Sequence, residues 1–118
     1  MNRKKEDILN LFFNDMVSFS SQTGFLKFAY QSRAHWMIAC LIGGSDSKGI
    51  SFEEICEKIS RNLISRSTIQ SIINDGINLK FYLKNPSIID KRVQLLKLSK
   101  DAQDAINLWI SRQQEIFS

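Results

Sequence analysis

The spacing of apolar and polar positions predicts that helices dominate this chain. Apolar residues recur at helical spacing over 5–19 and again from Ser99 onward, which predicts one helix near each end. A further helical region over 25–42 breaks near Ser32 and stops at Gly43-Gly44. The apolar stripes of the two end helices are too wide for one buried face, so each end helix needs a second surface to cover it.

Between these regions, residues 51–78 predict two short helices joined by a tight turn. Ser51 begins the first helix, and Glu54 three positions later completes a capping box that satisfies two backbone amides. Residues 60–63 make the turn, and Ser65 is placed to cap the second helix. This order of elements predicts a helix-turn-helix.

A β-hairpin is predicted to follow directly. Residues 81–84 and 92–98 are rich in β-branched, aromatic and aliphatic residues, and a seven-residue tip that holds Pro86 joins them. The predicted fold class is therefore mainly α, with a small β component (α+β): a winged helix-turn-helix in which the hairpin is the wing. We expect residues 1–118 to form a single domain.

The second helix of the helix-turn-helix carries an uncharged polar face. Isoleucines at positions 69, 72, 73 and 77 form a core-facing stripe. The opposite face holds small or medium polar residues: Ser67, Gln70, Ser71, Asn74 and Asn78. Such side chains hydrogen-bond to base edges, and Gln or Asn can pair with adenine through two bonds. An ordinary solvated face is the alternative, but such faces are usually rich in charged residues.

Charge is divided unevenly along the chain. Residues 58–100 hold nine basic side chains against two acidic ones, a net charge of +7, whereas the rest of the chain has a net charge of −3. A basic lobe on a neutral-to-acidic body is expected of a protein that lays one surface against a polyanion. A winged helix that binds only another protein has no need of this charge, although the fold alone does not fix the function.

Other classes of function find little support in the sequence. The single His has no identifiable nucleophile and carboxylate partners, and there is neither a Gly-rich phosphate loop nor Cys/His metal spacing. We therefore expect no enzymatic activity, no metal and no cofactor. No signal peptide or bilayer-length apolar run is recognisable, which predicts a soluble, cytoplasmic protein that does not enter a membrane.

The two cysteines, Cys40 and Cys56, lie within apolar helical patterns and have no metal-ligand pattern nearby. We expect each to be a small buried hydrophobe. A redox-sensing thiol is the alternative, which would require exposure and thiolate character.

Two motifs in the basic segment resemble those of a known family. Ser65-Arg66-Ser67-Thr68 opens the second helix, and Asp90-Lys91-Arg92 is followed by Leu96-Lys97-Leu98-Ser99. Over about residues 36–106, the chain resembles the MarR family of bacterial transcriptional regulators. The resemblance implies that the helix beginning at Ser65 enters the major groove, that Arg92 reaches the minor groove, and that Asp90 orients Arg92.

The resemblance also implies an assembly. Family members are dimers through their terminal helices, here 1–24 and 99–118, which flank a DNA-binding lobe over 33–98. Many members bind small aromatic acids between the dimer helices and that lobe. His35 and Trp36 are candidates to line such a pocket, with ordinary half-buried packing as the alternative, and no residue singles out an effector.

Together these features predict a transcriptional regulator that binds double-stranded DNA sequence-specifically as a homodimer. We expect phosphate contacts from the basic residues of the turn, helix and wing: Arg61, Arg66, Lys84, Lys91 and Lys97. We expect base contacts from Ser67, Gln70, Ser71 and Asn74, and the start of the same helix adds Ser65 and Thr68 to the DNA-binding set. A winged-helix protein–protein interaction module without sequence-specific DNA binding is the alternative.

Two positions depart from the family pattern, and two more are unusual. Family members usually have Gly where Lys80 stands and a bulky aliphatic residue where Gly76 stands. Gly76 weakens a helix by about 1 kcal/mol relative to Ala, which predicts a short or kinked end to the second helix. Ile88 and Ile89 fall in the predicted wing tip, where we expect them to fold back on the hairpin, with a minor-groove wedge as the alternative.

Overall fold

A computed structural model describes residues 3–21 and 24–118, so residues 1, 2, 22 and 23 of the predicted N-terminal segment lie outside it. The helices of the described residues are α1 (Lys5–Ser21), α2 (Phe25–Ala29), α3 (Arg33–Gly44), α4 (Phe52–Lys58), α5 (Arg66–Asn78) and α6 (Lys100–Ile116). The strands are β1 (Ile50–Ser51), β2 (Tyr82–Pro86) and β3 (Gln94–Leu98), which form an antiparallel sheet in the order β1-β3-β2. The predicted winged helix-turn-helix is confirmed: α4 and α5 are the helix-turn-helix, and β2 and β3 are the wing.

Serine side chains start four of the helices. Ser32, Ser51, Ser65 and Ser99 each accept a hydrogen bond from the backbone N–H three residues ahead. Ser51 and Glu54 form the complete capping box, and the break at Ser32 separates α2 from α3 as predicted. These caps are decided by residues close in the chain, which is why the sequence pattern located those at Ser51, Ser65 and Ser99.

The wing differs from the prediction by a shift of strand boundaries. The ladder of β2 and β3 runs from Tyr82 paired with Leu98 to Pro86 paired with Gln94. Pro86 therefore ends β2 instead of lying in the tip, which consists of residues 87–93. A proline is compatible with this place because its missing N–H is not needed at the end of an edge strand.

The end of α5 corrects the expectation for Gly76. The helix continues through Gly76 to Asn78, so Gly76 does not shorten it. A Cβ atom at Gly76 would lie 2.2 Å from Cδ2 of Tyr82, whose ring is buried against the helix. The absence of a side chain at Gly76 thus lets the wing pack directly on the backbone of α5.

Lys80, at the position where the family resemblance implies glycine, adopts a left-handed backbone conformation. Its φ is 66°, in the left-handed region that favours glycine. Its N–H donates to the Ile77 carbonyl at 3.0 Å, and the N–H of Phe81 donates to the Gly76 carbonyl at 2.8 Å. These are the two bonds of a Schellman motif, so the helix ends in the usual way although a lysine occupies the glycine position.

An ion pair between residues 97 positions apart joins the end helices, and its carboxylate is buried while its arginine is partly exposed. Arg112 of α6 donates from Nη2 to Oδ1 of Asp15 of α1 at 2.8 Å, and Asp15 is only 7% exposed. Nearby, the Trp109 indole N–H donates to the Tyr30 hydroxyl, which connects α6 to the end of α2. None of the helices in the described part of the chain is long and apolar enough to cross a membrane.

The two cysteines are less buried than the sequence pattern predicts. Cys40 is exposed and Cys56 is half-buried, so neither is the buried hydrophobe predicted from the sequence. The core face of α3 is centred on Ile38, Ala39 and Ile42, and Cys40 stands two positions after Ile38, about 200° around the helix. Desolvation raises the pKa of both thiols, which disfavours the thiolate that redox chemistry requires.

The close approach of Tyr82 to α5 leads to a stability prediction. Replacing Gly76→Ala should destabilise the protein by about 1–3 kcal/mol, because the new methyl group overpacks a buried aromatic contact. Urea unfolding measures the change as a lower midpoint. Gly44→Ala is the matched control: it adds a methyl group at the end of α3 with nothing within 4 Å, so we expect no loss of stability. Equal stability of both variants would contradict the packing argument.

Candidate nucleic-acid interface

The predicted site residues lie on the turn before α5, on α5 and its cap, and on the wing formed by β2, β3 and the tip between them. Arg61 is in the turn before α5; Ser65 caps α5; Arg66, Ser67, Thr68, Gln70, Ser71 and Asn74 lie on α5; Lys84 is on β2; Asp90, Lys91 and Arg92 are in the wing tip; and Lys97 is on β3. All of the α5 members are exposed, while the isoleucine stripe at 69, 72 and 73 is buried. The structure therefore presents the uncharged polar face of α5 to solvent.

Two of the proposed base-contacting side chains are already joined to each other. The Gln70 amide nitrogen donates to the side-chain oxygen of Asn74 at 2.9 Å, one helical turn away. This bond does not use the Gln70 carbonyl oxygen or the Asn74 amide group. The pair therefore keeps one acceptor, the Gln70 carbonyl oxygen, and one donor, the Asn74 amide group, for other contacts.

The start of α5 is a cluster of three hydroxyl groups. Ser65 Oγ accepts the Thr68 backbone N–H at 3.2 Å and donates to Thr68 Oγ1 at 2.8 Å. Ser67 Oγ lies 3.2 Å from the same Ser65 oxygen. Because Ser65 is occupied by capping, Ser67 and Thr68 are the hydroxyl groups of this cluster that are better placed to contact a ligand.

Arg66 has intramolecular partners that the sequence did not reveal. Its guanidinium forms an ion pair with Glu53 of α4 and lies 4.8 Å from the centre of the Phe52 ring. The Arg66 hydrogen bond holds the pKa of Glu53 below its ordinary value. Thirteen residues and a turn separate the partners, so helical spacing alone could not have paired them.

The wing tip holds Arg92 with a carboxylate. Asp90 accepts hydrogen bonds from Arg92 Nε at 3.1 Å and Nη2 at 3.0 Å, and from the Arg92 backbone N–H at 3.1 Å. Arg92 itself remains 91% exposed. Two parallel bonds fix the plane of a guanidinium as well as its position, so the tip presents this cation in one orientation.

Ile88 and Ile89 correct the expectation that they fold back on the hairpin. They are 98% and 97% exposed. Ser87 Oγ accepts the backbone N–H groups of Ile89, at 3.2 Å, and Asp90, at 3.4 Å. This local bonding shapes the tip so that the two isoleucine side chains point away from the hairpin.

The lysines of the wing do not share one surface. Lys84 pairs with Leu96, whereas Lys97 pairs with Leu83, the neighbour of Lys84. Successive side chains of a strand point to opposite faces, and paired residues share a face. Lys84 and Lys97 therefore lie on opposite faces of the hairpin, and Lys97 is half-buried.

The bond between Asp90 and Arg92 gives a prediction about pH. The Arg92 hydrogen bonds lower the pKa of Asp90, so the ionised carboxylate and its hold on Arg92 should persist as the pH falls below the ordinary aspartate range and be lost only on further acidification. Carboxyl-carbon NMR titration measures this pKa. Arg92→Ala should raise the pKa of Asp90 towards its ordinary value, and an unchanged titration would contradict the bidentate contact.

Comparisons with known proteins give matches in structure and none in sequence. No family model matches the chain, and no curated protein sequence matches it significantly. Among solved structures, MarR aligns with 95% of this chain and 76% of its own length at 13% identity, with a TM-score of 0.58. A mutant of S. aureus MepR aligns with 97% of this chain and 80% of its own at 10% identity, with a TM-score of 0.61.

A third similar structure is Streptococcus pneumoniae FabT in complex with DNA. It covers 94% of this chain and 74% of FabT at 16% identity, with a TM-score of 0.58. These neighbours are winged-helix regulators of the MarR family. At such low identity the similarity concerns the fold: this chain has the winged-helix fold of the MarR-family regulators.

Proposed function

We propose that this protein is a transcriptional regulator that binds double-stranded DNA sequence-specifically as a homodimer. The observation that carries the proposal is that the uncharged polar side chains of α5 and most of the basic side chains occupy different elements of the basic lobe. An exposed, uncharged polar face of α5 is flanked along the chain by exposed cations of the turn and the wing, within a segment of net charge +7. A structural neighbour was solved in complex with DNA, which supports the same class of ligand here.

The exposed face of α5 is suited to contact bases in the major groove. Gln70 and Asn74, through their mutual bond, offer one acceptor and one donor, which match the N6 amino group and N7 of adenine. Ser67 and Ser71 can serve as donors or acceptors on the same exposed face. These four residues supply the proposed sequence specificity.

Phosphate contacts come from the exposed cations around this face. Arg61, Lys84 and Lys91 are exposed, and the opposite placement of Lys84 and Lys97 suits the two phosphate backbones that border a groove. Arg66 must exchange its contact with Glu53 for a phosphate. Because that ion pair is exposed, its contribution to stability is small and the exchange costs little.

Arg92 is the proposed minor-groove contact. Asp90 fixes its guanidinium at the tip of the wing, so less conformational freedom is lost when the side chain enters the groove. The narrow minor groove has an enhanced negative potential that attracts arginine. The Asp90 carboxylate is thus proposed to position the contact and not to touch the DNA itself.

The dimer is proposed to form through α1 and α6. Four apolar side chains at helical spacing on α1, namely Leu9, Phe13, Met16 and Val17, remain exposed, while Phe19 of the same helix is buried. On α6 and after its end, Leu108, Ile110 and Phe117 are also exposed. A second copy of the chain would cover these residues, in agreement with the two-surface stripe predicted from the sequence.

The proposed function is tested by selecting duplexes from a random pool and measuring affinity against salt. We expect enrichment of a defined sequence, and log K should fall by about 0.9 per neutralised phosphate for each decade of salt. Arg92→Ala should weaken binding by about 1–3 kcal/mol without unfolding the protein. Lys5→Ala, which removes an exposed charge at the start of α1, is the control and should leave affinity unchanged.

Failure to enrich any sequence, together with a flat response to salt, would overturn DNA binding. That outcome would favour the protein–protein interaction module instead.

The dimer interface is tested separately. Phe13→Asp should convert a dimer into a folded monomer, because a charge cannot be buried unpaired in an apolar interface. Light scattering after size exclusion measures the mass, and circular dichroism checks the fold. Leu63→Asp, in the exposed turn before α5, is the matched control and should remain dimeric. A monomeric wild-type protein at high concentration would contradict the proposed assembly.

A further inference from the structure

The tip of the wing carries the two most exposed large hydrophobic side chains of the described residues. Ile88 is 98% exposed and Ile89 is 97% exposed, compared with 61% for Phe117, which follows them in exposure. Fully burying an isoleucine side chain contributes about 1.5–3 kcal/mol. The pair therefore leaves a substantial apolar surface available to a partner.

Hydrogen bonds hold this apolar pair in place at the tip. The Ser87 N–H donates to the Val93 carbonyl at 2.8 Å, and the Val93 N–H donates to the Asp90 carbonyl at 2.9 Å. Ser87 Oγ accepts two further backbone N–H groups within the same turn. The isoleucines thus lie on an internally hydrogen-bonded turn. Because the turn is already ordered, little conformational entropy of the backbone is lost on binding.

Two cations lie close to the apolar pair in the sequence of the tip, after Asp90. Lys91 and Arg92 follow it in the same tip, and both are exposed. A partner that suits this pattern must offer negative charge next to an apolar surface. The minor groove of DNA does so, with phosphates along its edges and stacked bases between them, and isoleucine is among the side chains that proteins insert between base pairs.

We propose that Ile88 and Ile89 form a wedge that enters the minor groove beside Arg92, separates two stacked base pairs and kinks the duplex. This inference rests on the proposed function, since it requires the wing to lie on DNA. The packing of Tyr82 against Gly76 fixes the wing relative to α5, so the tip and the polar face of α5 can engage one rigid partner together. A lipid surface would bind the exposed isoleucines of the tip but would not bind the polar face of α5.

The wedge would add specificity at a position without hydrogen bonds to bases. Separating stacked base pairs is easiest at pyrimidine–purine steps such as TA and CA. We therefore expect the selected duplexes to carry such a step where the wing tip lies, at a fixed distance from the bases that α5 contacts.

The test compares Ile88→Ser/Ile89→Ser with Leu83→Ser, which removes a half-exposed leucine from β2 away from the tip. The probe is the duplex that the wild-type protein enriches most from the random pool. Fluorescence anisotropy measures affinity, and permanganate measures unstacked thymines. The double isoleucine variant should bind about tenfold more weakly, which is 1.4 kcal/mol, and should lose a reactive thymine seen with the wild-type protein and with Leu83→Ser.

Three results would overturn the wedge while leaving DNA binding intact. These are equal affinity of the double variant and the wild-type protein, weaker binding without any reactive thymine in the wild-type complex, and isoleucine-dependent binding to vesicles of phosphatidylglycerol with unchanged DNA affinity. Absence of duplex binding by the wild-type protein overturns the proposed function itself, and the wedge with it.

Discussion

The contact between Gly76 and Tyr82 determines how α5 and the wing are arranged relative to each other. The Tyr82 ring occupies the space that a side chain at position 76 would fill, so the first residue of the wing strand packs on the backbone of α5. Only glycine permits this approach. Two residues after Gly76 the helix ends, and Lys80 turns the chain into the wing with a left-handed conformation. Gly76 and Lys80 thus lie together at the junction between α5 and the wing.

Two arginines of the basic lobe are each held by a carboxylate. Arg66 is held by Glu53, and Arg92 by Asp90, and each carboxylate has its pKa lowered by its arginine. Exposed ion pairs of this kind contribute little to stability, so their main effect is to limit the orientations of the cations. In the proposed DNA complex the two pairs would behave differently. Glu53 would compete with a phosphate for Arg66, whereas Asp90 would keep its bonds while Arg92, which is 91% exposed, meets the minor groove.

The sequence predicted those features that depend on neighbours in the chain. The serine caps, the break at Ser32 and the polar face of α5 follow from local spacing, and the structure has each of them. Features that depend on three-dimensional contacts beyond helical or strand spacing were missed or wrong. The pairing of Arg66 with Glu53 crosses a turn, the packing role of Gly76 depends on Tyr82, and the exposure of Ile88 depends on how Ser87 bonds the tip. The function of the site residues remains a prediction.

The wing and the proposed dimer helix α6 are connected without a linker. The position of the wing therefore depends on the position of α6. β3 ends at Leu98, Ser99 caps α6, and the Ser99 N–H donates to the Phe81 carbonyl at 2.9 Å, just before β2. Asp15 and Arg112 then fix α6 to α1. In a symmetric dimer, the distance between the two recognition helices sets the spacing of the half-sites. Because α6 begins where the wing ends, a shift of α6 in the proposed dimer interface would move the wing, and with it the proposed position of Arg92 on bound DNA.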